Sequence, residues 1–192
     1  MNHLLNVTEI LAILATSSST QPILSRLPSS VPLKRIVTLL SSLGVGLSIS
    51  RPFAAGLIAQ ITGTLLRCIS MRTLGKYFTF QLSVSQGHQL ITNGPYAFVR
   101  HPSYTGAQIA IAGFLLCHLG NGSLWSQWNA LPGTAGLVAK VWGAVYVAHY
   151  VYQVIGEVVR TYQEDEVLKE EFGGQWVAWS QRTRWRLFPY VF

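Results

Sequence analysis

Two short stretches carry most of the groups that can do chemistry in this chain: "NGPYAFVRHPSYTG" at residues 93–106 and "RTYQED" at 160–165. The first sets Arg100 and His101 between Tyr96 and Tyr104. Gly94-Pro95 supplies a turn, and Pro102 suits the first turn of a following helix, where its missing N–H costs nothing. The second puts Arg160 and Glu164 one turn apart on one helix face. A guanidinium holds a carboxylate or phosphate, while acceptors and aromatic faces hold a cation. Free backbone N–H groups at the helix start would also favour an anion. Singly, each feature has a commonplace reading: a structural histidine, tyrosine anchors at a membrane boundary, an ordinary R-x-x-x-E pair. Their combination carries the information.

The rest of the chain has to position these groups, and its composition limits how. Of 192 residues, 49% are hydrophobic and only 11% charged. That charge fraction is less than half the usual share for a soluble domain and could not cover its surface. All acids except Glu9 fall between Glu157 and Glu171. A net charge of +7 could suggest nucleic acid, but the basic residues sit at the ends of apolar runs. That placement fits lipid headgroups and membrane topology, with no nucleic-acid partner. Cys68 and Cys117 lie in apolar stretches without metal-ligand spacing, which reads as reduced thiols and no metal site.

A spanning helix needs roughly 20 mostly apolar residues. Residues 33–50, 52–70, 103–120 and 134–156 approach or meet this, and 2–16 is a shorter fifth candidate. Residues 17–32 read as a Ser/Pro-rich loop. The expectation is an all-α, polytopic integral membrane protein of about five transmembrane helices, with a cytosolic cofactor-binding loop and a C-terminal helix. It forms one domain over 1–192, with membrane helices in 1–66 and a catalytic core in 67–192. Arg26, Lys34 and Arg35, then Arg67, Arg72, Lys76 and Arg100, then the cations from Arg160 onward place three regions in the cytosol. The 71–101 loop and the 157–192 tail therefore emerge on one face, joined by a helical hairpin.

Within the first polar region, "YFTFQLSV" alternates like an extended segment before the turns at Gly87 and Gly94-Pro95. In the second, Val158, Tyr162, Val167 and Leu168 form a rough apolar stripe, and Gly173-Gly174 end the helix. Glu166, Lys169, Glu170 and Glu171 read as a solvated face. Trp176, Trp179 and Trp185 read as interfacial anchors.

Taken together, "GHQLITNGPYAFVRHPSYTG", a hydrophobic hairpin and then R-x-x-x-E-D-x-x-L-x-x-x-F-G-x-x-W closely resemble the isoprenylcysteine carboxyl methyltransferase family. The resemblance runs from Arg67 to about Pro189. Asp165 stands where the family often has a second Glu. The RHPxYxG-like block is shared with the wider superfamily that includes phospholipid N-methyltransferases. The resemblance implies an endoplasmic reticulum membrane enzyme with its active site facing the cytosol. It would use S-adenosyl-L-methionine to methylate the C-terminal carboxylate of a farnesyl- or geranylgeranyl-cysteine on processed CaaX proteins. By the same carry-over, Gln81, His88, Gln89, Leu90, Ile91, Tyr96, His101, Pro102, Ser103, Tyr104 and Glu164 hold the cofactor. Arg160 holds the substrate carboxylate, and Arg160 with Glu164 forms the catalytic pair.

The implied chemistry suits these residue types. A carboxylate with a pKa near ~3.5 is already ionised at neutral pH, so no general base is required. The work is alignment and exclusion of water. A prenyl chain gains about 0.8 kcal/mol per buried CH₂ and belongs in the bilayer. A phospholipid N-methyltransferase is the nearest alternative; its ammonium substrate must first lose a proton to a base. A non-catalytic membrane scaffold is the alternative from another class. The charge distribution also predicts a topology: a glycosylation tag at position 126 should be modified in the lumen. A tag after Phe192 should not be, and glycosylation there would reverse the orientation.

Overall fold

The computed structural model describes residues 26, 50–78, 87, 89–121 and 123–192. Expectations for residues 2–49 therefore fall outside the described residues, apart from Arg26, as does most of the 77–84 stretch. Among the described residues every regular element is helical. In order they are α1 (Arg51–Leu74), 3₁₀ turns at Gly75–Tyr77 and Gly94–Ala97, α2 (Pro102–Leu119), α3 (Leu124–Asn129), α4 (Gly133–Phe172) and α5 (Gly174–Arg182). Among the described residues one helix, Arg51–Tyr77 with its 3₁₀ extension, is long and apolar enough to cross a membrane.

Two helices run further than the apolar spans suggested. Helix α1 continues to Leu74, past the expected span end at 70, so Arg72 lies inside it rather than in the 71–101 loop. Helix α4 is continuous for 40 residues, where an apolar span ending at 156 and a separate polar helix were expected. Nothing between Ile155 and Gly173 stops it: Gly156 costs about 1 kcal/mol relative to Ala but does not break a helix, and no proline lies in that stretch. A change from apolar to charged residues alters what the helix faces, not its backbone. The stop comes at Gly173, whose φ of +48° needs a glycine.

The chain divides into two compact units. The first comprises Met1–Leu57 with Gly113–Tyr146. Here the Ser50 hydroxyl accepts from the Phe53 N–H, capping α1. A Cβ on Gly56 would lie 2.6 Å from the Gly113 carbonyl oxygen, so these backbones approach through glycine. Ser123 caps α3 by accepting from the Ser126 N–H at 3.1 Å. Trp125 lies against Gly143 and donates its indole N–H to the Ala139 carbonyl at 2.9 Å.

The second unit, Ile58–Ala112 with Val147–Phe192, carries both chemistry-bearing stretches. Its helices α1 and α2 meet backbone to backbone. A Cβ on Gly63 would sit 2.5 Å from both the Ala110 nitrogen and the Gly106 oxygen, and one on Gly106 would sit 2.6 Å from the Gly63 oxygen. Ile58, Ile61, Leu65 and Ile69 on α1, and Val151, Ile155 and Val159 on α4, point outward. The buried side chains include polar Ser70, His101, Thr105, Thr161, Asp165 and Thr183. Exposed apolar faces on α1 and α4, beside an interior that mixes these polar groups with Val99, Trp179 and Leu187, suit an apolar surround.

The glycine contact fixes where α2 begins relative to α1, and its removal is testable. Gly63→Val should cost at least about 1–3 kcal/mol, because backbone atoms cannot move aside. Gly156→Ala, with nothing within 4 Å of the new methyl, should be neutral or slightly stabilising. Thermal unfolding in detergent compares the two, and equal midpoints would contradict this packing.

Candidate functional site

The loop before α2 is held by the chain's last segment. Gly94, at φ +57°, turns the backbone into the 3₁₀ turn that buries Tyr96. The Tyr96 hydroxyl donates to the Ser70 carbonyl at 3.4 Å, and its own carbonyl accepts the Trp179 indole N–H at 3.2 Å. Trp179 is therefore a buried structural residue, 2% exposed, and not the interfacial anchor expected of it. The Arg100 and His101 N–H groups donate to the Trp185 and Arg186 carbonyls, each at 2.9 Å. The Thr105 hydroxyl donates to the Leu187 carbonyl at 2.7 Å. The Tyr104 and Thr105 N–H groups donate to the His101 carbonyl. These four backbone donors are thus used within the fold, and the free N–H cluster expected at this helix start is not formed by them.

His101 is 5% exposed and grips a carboxylate with each ring nitrogen. Nε2 lies 3.0 Å from Asp165 Oδ1, and Nδ1 lies 3.4 Å from Glu164 Oε2. Consecutive residues on a helix are about 100° apart, which lets Glu164 and Asp165 straddle one ring. The Nε2 contact is a hydrogen bond and the Nδ1 contact an ion-pair distance, and only a doubly protonated, charged ring donates to both carboxylates at once. Burial opposes that charge, but hydrogen bonds donated to Asp165 and Glu164 outweigh it and raise the pKa above the usual histidine value. Burial likewise opposes ionisation of both acids. Hydrogen bonds with His101, Tyr104 and Arg160 nevertheless hold Glu164 below the usual carboxylate range. Contacts with His101, Arg100 and Arg186 do the same for Asp165.

Each acid has further partners. Asp165 Oδ2 accepts from Arg186 Nε at 2.9 Å and from Arg100 Nη2 at 3.2 Å. The Arg186 guanidinium also stacks 3.7 Å above the Tyr162 ring centroid. Glu164 Oε1 accepts the Tyr104 hydroxyl at 2.6 Å and Arg160 Nε at 3.0 Å. Arg160 keeps a side chain one-third exposed, whereas Arg100 is 11% and Asp165 5% exposed. The cluster thus grades from a buried base at Asp165 to an accessible edge at Arg160.

Among the sequence-selected residues, Tyr96, His101, Tyr104, Arg160 and Glu164 come together in this unit. Pro102 and Ser103 are buried at the start of α2 beside them. Gln89 is exposed, and Leu90 and Ile91 are half-buried on the approach to the loop. Gln81 and His88 lie outside the described residues. Sequence reasoning used Arg100 and Arg186 only as topology-setting cations and Trp179 only as an anchor, and noted Asp165 only as a departure from a pattern. The available signal was the run Glu164-Asp165-Glu166 in a chain with only seven acids.

Comparison with known proteins adds a second line. The family model of the isoprenylcysteine carboxyl methyltransferase (ICMT) family matches residues 56–129. Protein-S-isoprenylcysteine O-methyltransferase B of Arabidopsis thaliana is 32% identical over 130 residues, 67% of this chain and 55% of the relative. Over this region the chain is similar to the isoprenylcysteine carboxyl methyltransferase family. Protein-S-isoprenylcysteine O-methyltransferase of Rattus norvegicus is also 32% identical, over 133 residues, 68% of this chain and 39% of the relative. The chain spans about half, or less, of the length of these curated relatives. The region matched by the family model includes the packed glycines of α1 and α2 and the whole loop from Asn93 to Tyr104.

The charge cluster sets a pH dependence. The raised pKa of His101 gives stability that is complete below about pH 6.5 and lost as pH rises through the folded value. The lowered values of Glu164 and Asp165 give stability that is complete above about pH 4–4.5 and lost as pH falls through the folded values. Thermal stability in detergent should peak between about pH 5 and 6.5 and fall on the alkaline side. His101→Asn should shrink that alkaline fall, and Asp165→Asn should cost about 3–5 kcal/mol by stranding buried cations. A wild-type profile flat from pH 6.5 to 9 would contradict the pairing.

Proposed function

We propose that this chain is an S-adenosyl-L-methionine-dependent methyltransferase acting on the C-terminal carboxylate of a prenylated cysteine. The observation that carries the reading is Arg160: a partly exposed guanidinium whose Nε is held by Glu164 at 3.0 Å, at the accessible edge of a buried charge cluster. That arrangement suits an anionic substrate. The guanidinium binds and orients the substrate carboxylate. Glu164, accepting from Nε, offsets part of the guanidinium charge, so the bound oxygen keeps its nucleophilic character.

When bound, S-adenosyl-L-methionine supplies a methyl group made electrophilic by its sulfonium. The residues present fit such a cation. Glu164 is an ionised acceptor, and Tyr96 and Tyr104 contribute aromatic faces. Burial, then the charge of Glu164, pushes the Tyr96 phenol up, so it remains a neutral ring at working pH. Gln89, Leu90, Ile91, Pro102 and Ser103 complete the proposed cofactor side, together with Gln81 and His88. His101 contributes by fixing Glu164.

The apolar exterior of α1 and α4 supports a multi-pass membrane protein that admits the prenyl chain laterally. The relatives' names support prenylated protein C-termini as partners. An endoplasmic reticulum membrane with the site facing the cytosol completes the reading. The amine alternative is less well supported. A protonated headgroup needs a base, yet both nitrogens of His101 are already given to carboxylates and Glu164 already accepts three donors.

Two substitutions separate the roles. Arg160→Ala should lose a charge-assisted contact worth about 1.5–3 kcal/mol in catalysis and prenylcysteine binding, with cofactor affinity largely kept. Glu164→Ala should weaken cofactor binding directly. Calorimetric titration of the two folded variants with the cofactor makes the comparison, and equal affinities would show the roles to be misassigned. Absence of cofactor binding by the wild type would favour a non-catalytic scaffold.

A further inference from the structure

The charge cluster draws on α2, α4 and the final segment, and α1 reaches the same region through Arg67. Here α1 and α2 touch main chain to main chain: a Cβ on Gly106 would lie 2.7 Å from the Arg67 nitrogen. From this crossing the Arg67 side chain reaches the first turn of α2, where Nη1 donates to the Ser103 carbonyl at 3.2 Å. Its charge also faces Tyr96 and Glu157. Glu157 stands three residues before Arg160 on α4, its Oε2 fully buried. It shares a side-chain hydrogen bond with Gln108, one turn beyond Tyr104 on α2.

Arg67 thus adjoins both halves of the proposed site. Ser103 and Tyr96 belong to the cofactor side, and α4 carries Glu157 and Arg160 on the substrate side. His101 ties α2 to α4 at Glu164 and Asp165, and one tie alone would leave α4 free to pivot about it. Glu157 and Glu164 are two turns apart, about 10 Å along the axis. A second tie at Glu157 removes the pivot, and Arg160 lies between the two. Resting on the methyl transfer proposed above, we propose that Arg67, with Glu157, is a positioning residue for that reaction. It fixes α4, and so Arg160, against the start of α2. Misplacement of reacting groups by about 1 Å can cost about 100-fold in rate, so alignment alone is a sufficient role.

The test separates alignment from stability. Arg67→Met strands a buried carboxylate and should lower the thermal midpoint in detergent. Arg67→Met combined with Glu157→Met removes both charges and should restore much of it. That double variant should keep its cofactor affinity by calorimetry and its KM for N-acetyl-S-farnesylcysteine, each within about twofold, while kcat stays at least about tenfold below wild type. Arg67→Lys keeps the charge without the guanidinium fork and should show the same split between kcat and KM. Recovery of kcat together with stability in the double variant would overturn the proposal and leave a structural charge pair. So would wild-type kcat in Arg67→Lys, which decides the matter if the double variant does not fold. A loss carried by KM or cofactor affinity, with kcat unchanged, would overturn it too. No transfer to N-acetyl-S-farnesylcysteine by the wild type would instead overturn the proposed activity, and the positioning role with it.

Discussion

The site depends on one buried ring. His101 lies between two carboxylates from adjacent positions of α4, and its two N–H groups can satisfy both only if it is charged. A charge in an interior is tolerable when it is paired and hydrogen-bonded on all sides. Here Asp165 is shared with Arg100 and Arg186, and Glu164 with Tyr104 and Arg160. Each group is therefore fixed by a neighbour that is itself fixed. The geometry of the accessible end, Arg160 with Glu164, follows from the buried end at Asp165.

That chain of contacts needs three parts of the sequence to meet, and backbone structure brings them together. Glycines at 63 and 106 let α1 and α2 touch main chain to main chain, which sets the level at which His101 enters α2. The uninterrupted α4 carries Glu164 and Asp165 to that level. The final segment closes the arrangement by accepting the Arg100 and His101 N–H groups and presenting Arg186 to Asp165. The loop from Asn93 to His101 has little regular structure of its own and is positioned by these partners.

Much of this was legible in the sequence. Arg160 and Glu164 were readable because helical periodicity puts i and i+4 on one face, and the pair forms as expected. Pro102 starts α2, and Gly173 ends α4. What could not be read was tertiary. The sequence shows that His101 precedes a helix, but not that two acids more than sixty residues later would take both of its nitrogens. Trp179 read as an anchor because aromatic residues near a membrane usually are, yet its indole is satisfied by the Tyr96 carbonyl in the interior. The polar end of α4 read as a separate helix because composition changes there, while backbone propensity does not.

The most direct measurement of this account is the protonation state of His101 in the folded protein. Nitrogen-15 spectra of histidine-labelled protein in detergent, assigned by comparison with His101→Asn, report both ring nitrogens. The account predicts that His101 shows two protonated nitrogens at pH 7.5, where a free histidine is mostly neutral. A neutral ring with one bare nitrogen at that pH would contradict it, because one of the two carboxylate contacts would then not exist as described.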